Sequence, residues 1–400
     1  MKHKLKANTL FGLENILAKE IESIGGKDIE KGLRYVSFTG DNEVLYRANI
    51  QLRTALNILK EVAKFELESK ADLYAAIKKF QWTKLFTVNQ SFSVKTEIKT
   101  RFMKNMDDIA LDIREDITRQ FKSVVGQRPN GEKFDPNILL HFVITDDVCE
   151  LYMNSSGKDL NKRVYAEDSG FDPLNSVLAA GIIMHTGWKG DTNFVDPMCG
   201  SGTLLAEAGM IARNVMPNIQ RANFAFKQWK GYDADLFNKI IDELKLKEIQ
   251  SPVKIEGGDK SERAVTVTRR ALNRLGLSRV VKLQECEIQE FEPTKEPGLL
   301  IINPPHFTKL KLVLEEGEEL EPEELEAKQK HIDKENDVKF EDESEFYKMI
   351  GETLKSDFKQ YDCWILSGNP EYFYNLGGEI TKSIQLFNTS IESELINVKF

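Results

Sequence analysis

The chain has 400 residues, 41% of them hydrophobic, which is ample for two or three packed cores. No run approaches the roughly 18 consecutive apolar residues of a membrane span, and the opening MKHKLKANTL has no apolar leader, so a cytoplasmic protein with no membrane partner is expected. The formal charge of −9 belongs to one stretch, since 311–350 alone holds 6 basic and 15 acidic residues. The remainder is neutral, and a nucleic-acid partner stays open because phosphate binding needs clustered cations rather than a basic total.

Residues 1–60 give a strand in LKANTLF, an amphipathic helix in GLENILAKEIESIG with Leu13, Ile16, Leu17 and Ile21 on one face, and a strand in RYVSFTG. Residues 61–165 repeat the mixture, with FSVKTEI as an alternating strand, NMDDIALDIREDITRQFKSVV as a helix and LLHFVITDDVCELYMN as strand material. Both stretches predict α+β packing. Cys149, Cys199, Cys286 and Cys363 stand apart, without CxxC or His-rich spacing, so neither a disulfide framework nor a metal site is indicated.

A helix in SVLAAGIIMHTGW leads to the stretch that organises the rest, DTNFVDPMCGSGTLLAEAGMIA. Phe194 and Val195 are strand-like, whereas Leu204, Leu205, Ala208 and Ile211 recur at helical spacing, so the period switches across 197–203. The glycine-bearing loop therefore lies at a strand's carboxyl end, where open α/β sheets bind small ligands. It lacks the P-loop pattern, and Leu205 replaces the third glycine of the dinucleotide fingerprint. Asp196 would repel a pyrophosphate but can accept a hydrogen bond from an ammonium group, so a zwitterionic ligand fits. The competing reading is a tight strand-to-helix turn with a capping aspartate.

FAFKQWKGYDADLFNKIIDELK reads as mostly helical, and VKIEGGDKSERAVTVTRRALNRLGL as strand, turn and helix with Asp259 just past the strand. An acid there can accept both hydroxyls of a ribose, and Asp233 is its rival. VVKLQECEIQEF, 280–291, is a further strand. LLIINPPHFTKL is another, and it ends in Asn303-Pro304-Pro305. Consecutive prolines fix an extended exit, and a side-chain amide oxygen with a nearby carbonyl can accept both protons of an exocyclic amine. Taken alone, NPP could equally be a strand stop. The charged run 311–343, broken by Gly317 and Pro322, reads as a solvated helix or an insertion. A helix (FYKMIGETLKSDF), a strand (DCWILSG) and two terminal strands (SIQLFNTS, ELINVKF) complete the chain.

DPMCGSGTLLAEAGMIA resembles the S-adenosylmethionine (SAM) binding motif, and NPP the catalytic motif, of the THUMP-domain class I SAM-dependent RNA methyltransferases. Among these the chain looks most similar to the RlmL-type 23S rRNA guanine-N2 enzymes. NSSGKDLNKRVY (154–165), DPLNSVLAAGIIMHTGW (172–188) and LKSDFKQYDCWILSGN (354–369) extend the similarity over nearly the whole chain. The resemblance implies a Rossmann-like, doubly wound methyltransferase domain over 166–400, preceded by an α+β ferredoxin-like segment (1–60) and a THUMP RNA-binding region (61–165).

The resemblance also implies roles. SAM would be held by Asp196, Pro197, Met198, Gly200, Gly202 and Thr203, by Asp259 at the ribose and by Glu287 near the adenine amino group, where the family has aspartate. Asn303, Pro304, Pro305 and His306 would form the catalytic motif. Lys95, Lys99, Arg101, Lys162 and Arg163 would contact RNA. The chain departs from the family in two places: KRVYA stands where KRGYR is usual, and His306-Phe307-Thr308-Lys309 follows NPP in place of Tyr-Gly-Glu-Arg. Methyl transfer to guanine N2 of 23S rRNA is the expected activity. A tRNA guanine-N2 or adenine-N6 enzyme, or an RNA-binding ribosome-assembly factor without turnover, remain the alternatives.

Overall fold

Period-2 patterning in the first 154 residues builds strands that are apolar on one side only, and they assemble into one sheet. The computed structural model describes residues 2–100, 106–132, 135–166, 173–251, 253–294, 296–305, 343–388 and 391–400. Two compact units are present: Met1–Asp168 with Asn175–Gly181 and Arg213–Gln250, and Ser169–Leu174 with Ile182–Ala212 and Ser251–Phe400.

In the first unit β1 (His3–Asn8), β2 (Lys27–Gly32), β3 (Tyr35–Gly40), β4 (Asn57–Glu66), β5 (Phe92–Lys99), β6 (Ile138–Thr145) and β7 (Val148–Asn154) lie in the order β2-β3-β1-β4-β7-β6-β5. All neighbours are antiparallel except β5 and β6. β4 pairs with both β1 and β7, so the two α+β stretches share a single sheet. Helices α1 (Glu14–Ser23) and α2 (Asn42–Gln51) supply Leu17, Ile21 and Leu45 to a core with Leu5, Val36 and Phe38. Short helices α3 (Lys70–Lys79) and α4 (Trp82–Leu85) and the long α5 (Met106–Val125) form a second core, in which Ile109, Ile113, Ile117 and Phe121 meet Leu140, Phe142 and Leu151.

The interval Arg213–Gln250 groups with this first unit rather than with the remainder of 166–400. Its helix comes after α6 (Ser176–Thr186) and α7 (Thr203–Ala212), and is α8 (Ala234–Leu246), which buries Phe237, Ile240 and Leu244 among residues of α2. Tyr46 stacks on Phe226 with ring centroids 4.6 Å apart. The interval is thus part of the aromatic core of the first unit.

The second unit contains β8 (Asn193–Asp196), β9 (Ile255–Asp259), β10 (Val281–Glu285), β11 (Gly298–Ile302), β12 (Asp362–Ser367), β13 (Glu379–Asn388) and β14 (Ile391–Lys399), in the order β10-β9-β8-β11-β12-β14-β13. Strands β8 to β12 are parallel, and β14 runs antiparallel between β12 and β13. Strand 280–291 is shorter than its composition predicts: it stops at Glu285, and Ile288 is buried in a 3-10 turn. Among the described residues, α9 (Glu262–Arg274) and α10 (Glu343–Asp357) are further helices of this unit. The chain steps outward from β8 to β10 and then returns to β11 on the other side of β8. This reversal opens a crevice beyond the carboxyl ends of β8 and β11, the place where doubly wound sheets take ligands.

Candidate active site

Four polar side chains mark four successive strand ends. Register pairs Asp196 with Gly257, Asp259 with Glu285 and Leu300 with Val195. Reading across the carboxyl edge, Glu287 lies just past β10, Asp259 ends β9, Asp196 ends β8 and Asn303 follows β11. The topology thus brings these four sequence-predicted residues to one edge of one sheet.

Between β8 and α7 the loop 197–202 is fixed by its own backbone. Cys199 N–H donates to the Gly258 carbonyl at 2.8 Å, and Gly202 N–H to the Cys199 carbonyl at 2.8 Å. Met198 N–H donates to Asp196 Oδ1 at 3.2 Å, and Gly200 N–H to Asp259 Oδ2 at 2.9 Å. Gly200 and Gly202 both have left-handed φ, +53° and +77°. They differ in surroundings. A Cβ on Gly202 would sit 2.5 Å from Thr268 Cγ2, whereas one on Gly200 would meet nothing within 4 Å, so the loop packs on α9 at one glycine and faces open space at the other. Thr268, a residue nothing in the sequence singles out, donates through Oγ1 to the Gly200 carbonyl at 2.9 Å.

The edge is electrostatically uneven. Asp196 is 1% exposed, and burial pushes its carboxyl up to about 8, with Asp259 adding to the rise and the Met198 N–H opposing it. Asp259 Oδ1 accepts from Ser261 N–H at 2.9 Å and Oδ2 from Gly200, which leaves lone pairs for two further donors. Glu287 is exposed. Cys199 is buried with its thiol pushed well up by desolvation, so it is neutral and no nucleophile. Pro304 is buried, and Asn303 Oδ1 is a buried acceptor with no donor among the described residues. The acids suit a ligand with an ammonium group and ribose hydroxyls, and Asn303 Oδ1 suits an amine donor. Among the described residues no group of three His, Cys, Asp or Glu side chains could hold a metal.

Asp233 is not part of this edge. It caps α8 in the first unit, accepting from Leu236 N–H at 2.9 Å. His306, Arg101 and residues 311–342 of the acidic run lie outside the described residues.

The cations expected to meet RNA separate into two kinds. Lys95 and Lys99 are exposed on β5, an edge strand, with Lys95 3.6 Å from Glu97; Lys162 is exposed as well. Arg163 is a correction. It is 1% exposed, donating from Nη1 to the Leu160 carbonyl at 2.7 Å and Asn218 Oδ1 at 3.1 Å, and from Nη2 to the Arg53 carbonyl at 2.8 Å. A guanidinium with these bonds ties the Arg213–Gln250 interval to the first unit's own loops and cannot reach a phosphate. Adjacent sequence charge concealed that difference.

A parallel sheet in this order, with a glycine loop after its first strand and acids on the next two strand ends, defines a Rossmann-like methyltransferase domain. It is preceded by ferredoxin-like and THUMP regions: the RlmL ferredoxin-like domain matches residues 4–59 and the THUMP domain residues 68–154. The family described as RMKL-like, methyltransferase domain matches residues 163–371, and the chain belongs to that family. It is similar to the ribosomal RNA large subunit methyltransferase K/L of Marinomonas sp. (strain MWYL1), 30% identical over 77% of this chain and 44% of that protein. The enzyme of the same name from Cellvibrio japonicus (strain Ueda107) is 30% identical over 99% of this chain and 51% of its own length. The chain thus spans about half the length of these two relatives. The crystal structure of SMU.472 complexed with SAH matches with a TM-score of 0.81 at 25% identity, covering 100% of this chain and 98% of that one.

Proposed function

We propose that the protein transfers a methyl group from SAM to an exocyclic amine of an RNA base, with guanine N2 of 23S rRNA as the target. The observation that carries this reading is Asn303: its Oδ1 is buried without a donor among the described residues, just past the end of β11, next to the strand whose end carries Asp196. SAM supplies an electrophilic methyl group on a positively charged sulfur. Asp196 accepts from the amino-acid ammonium, Asp259 from the ribose hydroxyls and Glu287 from the adenine amine, while Gly200 leaves room beside the loop. Asn303 Oδ1, with a carbonyl of the rigid Pro304-Pro305 exit, accepts both amine protons of the target base. That aims the nitrogen lone pair at the methyl carbon. As the N–C bond forms, the sulfonium's bond to the methyl carbon would break, S-adenosylhomocysteine would leave, and the methylated nitrogen would lose its surplus proton to water; the amide moves no proton itself but positions, and alignment supplies most of the acceleration. The base must leave its stack to reach this edge. Lys95, Lys99 and Lys162 of the first unit are the phosphate contacts of the docking region, which leaves chemistry to the second unit.

Incubation with labelled SAM and separated unmodified 23S rRNA, 16S rRNA and tRNA tests the substrate, and nucleoside analysis of the product distinguishes guanine N2 from adenine N6. Asn303→Ala should keep SAM affinity within about twofold and lower single-turnover transfer about a hundredfold or more. Undiminished transfer by that variant would refute the role of Asn303, and label confined to tRNA would replace the rRNA assignment.

A further inference from the structure

β12 is the strand next to β11, with Ile302 paired to Ile365. The chain leaving β12 after Ser367 therefore emerges one strand spacing, about 5 Å, from the chain that carries Asn303. It turns at once into a short 3-10 helix, Pro370–Leu376, with proline in its first turn. Both ends of this segment are tied to the start of α10. Asn369 Nδ2 donates to Glu343 Oε2 at 3.1 Å, and Asn375 Nδ2 to Ser344 Oγ at 2.5 Å. The start of α10 is itself held at the carboxyl edge, because the Tyr347 hydroxyl is hydrogen-bonded to Ser367, the last residue of β12. Tyr372 stacks on Tyr347 at 5.9 Å between centroids, and Phe373 and Leu376 are buried. The segment is a rigid mount beside the candidate reaction centre.

One feature of the mount is not explained by folding. Tyr374 is 76% exposed, although the apolar side chains around it in the segment are packed. An exposed aromatic face on a packed segment is a surface on which a nucleotide can stack.

We propose that Tyr374 stacks on a nucleotide of the substrate RNA adjacent to the target base. The inference rests on the reading of Asn303 as the methylation centre. Flipping the target base removes a stacking partner from its neighbour in the strand, and the exposed ring of Tyr374, on the segment that follows β12, replaces it. Stacking of this kind tolerates any base, so Tyr374 holds the flanking nucleotide without selecting its identity.

The test uses the full chain, in-vitro transcribed 23S rRNA and labelled SAM under single-turnover conditions. Tyr374→Ala should raise the half-saturating RNA concentration about 5- to 150-fold, the range of stacking losses per base. SAM affinity and the limiting rate at saturating RNA should stay within about twofold of wild type. Tyr374→Phe and Tyr374→Trp should restore RNA saturation, whereas Tyr374→Leu should behave like alanine. If wild type transfers label and Tyr374→Ala saturates as wild type does, or if leucine restores binding as well as phenylalanine, the inference is overturned while the methyltransferase reading stands. If wild type transfers no label to this RNA, the rRNA reading fails and the inference for this substrate fails with it.

Discussion

Asp196 offers a quantitative test of the cofactor site. Its carboxyl is buried at the end of β8 and pushed up to about 8 from an ordinary 3.8, burial being the larger cause and Asp259 the second carboxylate in range. The Met198 N–H is its one opposing contact in that balance, and the neighbouring Cys199 thiol is neutral. Without a cation beside it, Asp196 is therefore mostly protonated at pH 7, about ten to one. An ammonium ligand needs the ionised form, so binding at pH 7 should expel close to one proton. Affinity for SAM should rise by up to about tenfold per pH unit well below 8, but the ligand's own amine, ordinarily near 7.7–8.0, begins to lose its charge before pH 8, so the net gain between pH 6 and 8 should be on the order of twentyfold, with a fall above that range. The sign is the same as for a salt-bridged carboxylate, whose favourable interaction is also lost as pH falls, but the raised value moves the window from the acid range to just below pH 8. Titration calorimetry in buffers of different ionisation enthalpy reads the proton count directly. Asp196→Asn should release no proton, match wild type near pH 6 and fall behind it toward pH 8. Constant wild-type affinity from pH 6 to 8 with no proton release would refute the ammonium contact.

The two loop glycines should respond unequally to alanine. Gly202→Ala adds a Cβ 2.5 Å from Thr268 to a left-handed backbone, so about 2–5 kcal/mol of stability should be lost in urea unfolding, combining strain and overpacking. Gly200→Ala meets nothing within 4 Å and should lose only about 1–2 kcal/mol; equal losses would show that the contact with α9 is unimportant. Deleting residues 1–165 should yield aggregated protein on size-exclusion chromatography, because Phe224, Phe226 and Phe237 lose the α2 residues that cover them. A monodisperse fragment would contradict that packing.

What could be read from sequence followed from whether the signal was local. The switch of period across 197–203 and the double proline after 298–302 each reside within a dozen residues, and both predicted a strand end that the structure contains, with Asp196 and Asn303 as the candidate side chains there. The terminal antiparallel pair was equally plain in SIQLFNTS and ELINVKF. Arg163 illustrates the opposite case, since its acceptors are contributed by residues 53, 160 and 218, and no local pattern distinguishes a buried guanidinium from an exposed one. α8 is similar. Its apolar stripe announced a helix with one buried face, but Phe237, Ile240 and Leu244 carry no information about which core they enter. β2 was missed because KDIEKG has no apolar alternation; it is held to β3 by backbone pairing. The strand over 280–291 was read six residues too long at its carboxyl end, because Ile288 supplies an apolar residue to a turn; Glu287 came from the family resemblance and not from the strand pattern.

Discontinuity of the first unit has a consequence for synthesis. A chain emerging from the ribosome presents β1 to β7 by residue 154, yet the aromatic cluster around Tyr46 is completed only by Phe224, Phe226, Phe237 and Leu244. At about 5–20 residues per second, the interval between these points lasts roughly 4–18 s. During that time Leu45, Tyr46 and their neighbours have no covering helix, while β8 and α7 of the other unit emerge without β9 or β11. The nascent chain therefore carries two incomplete apolar surfaces at once, and translation rate across this interval sets how long they remain exposed to other chains.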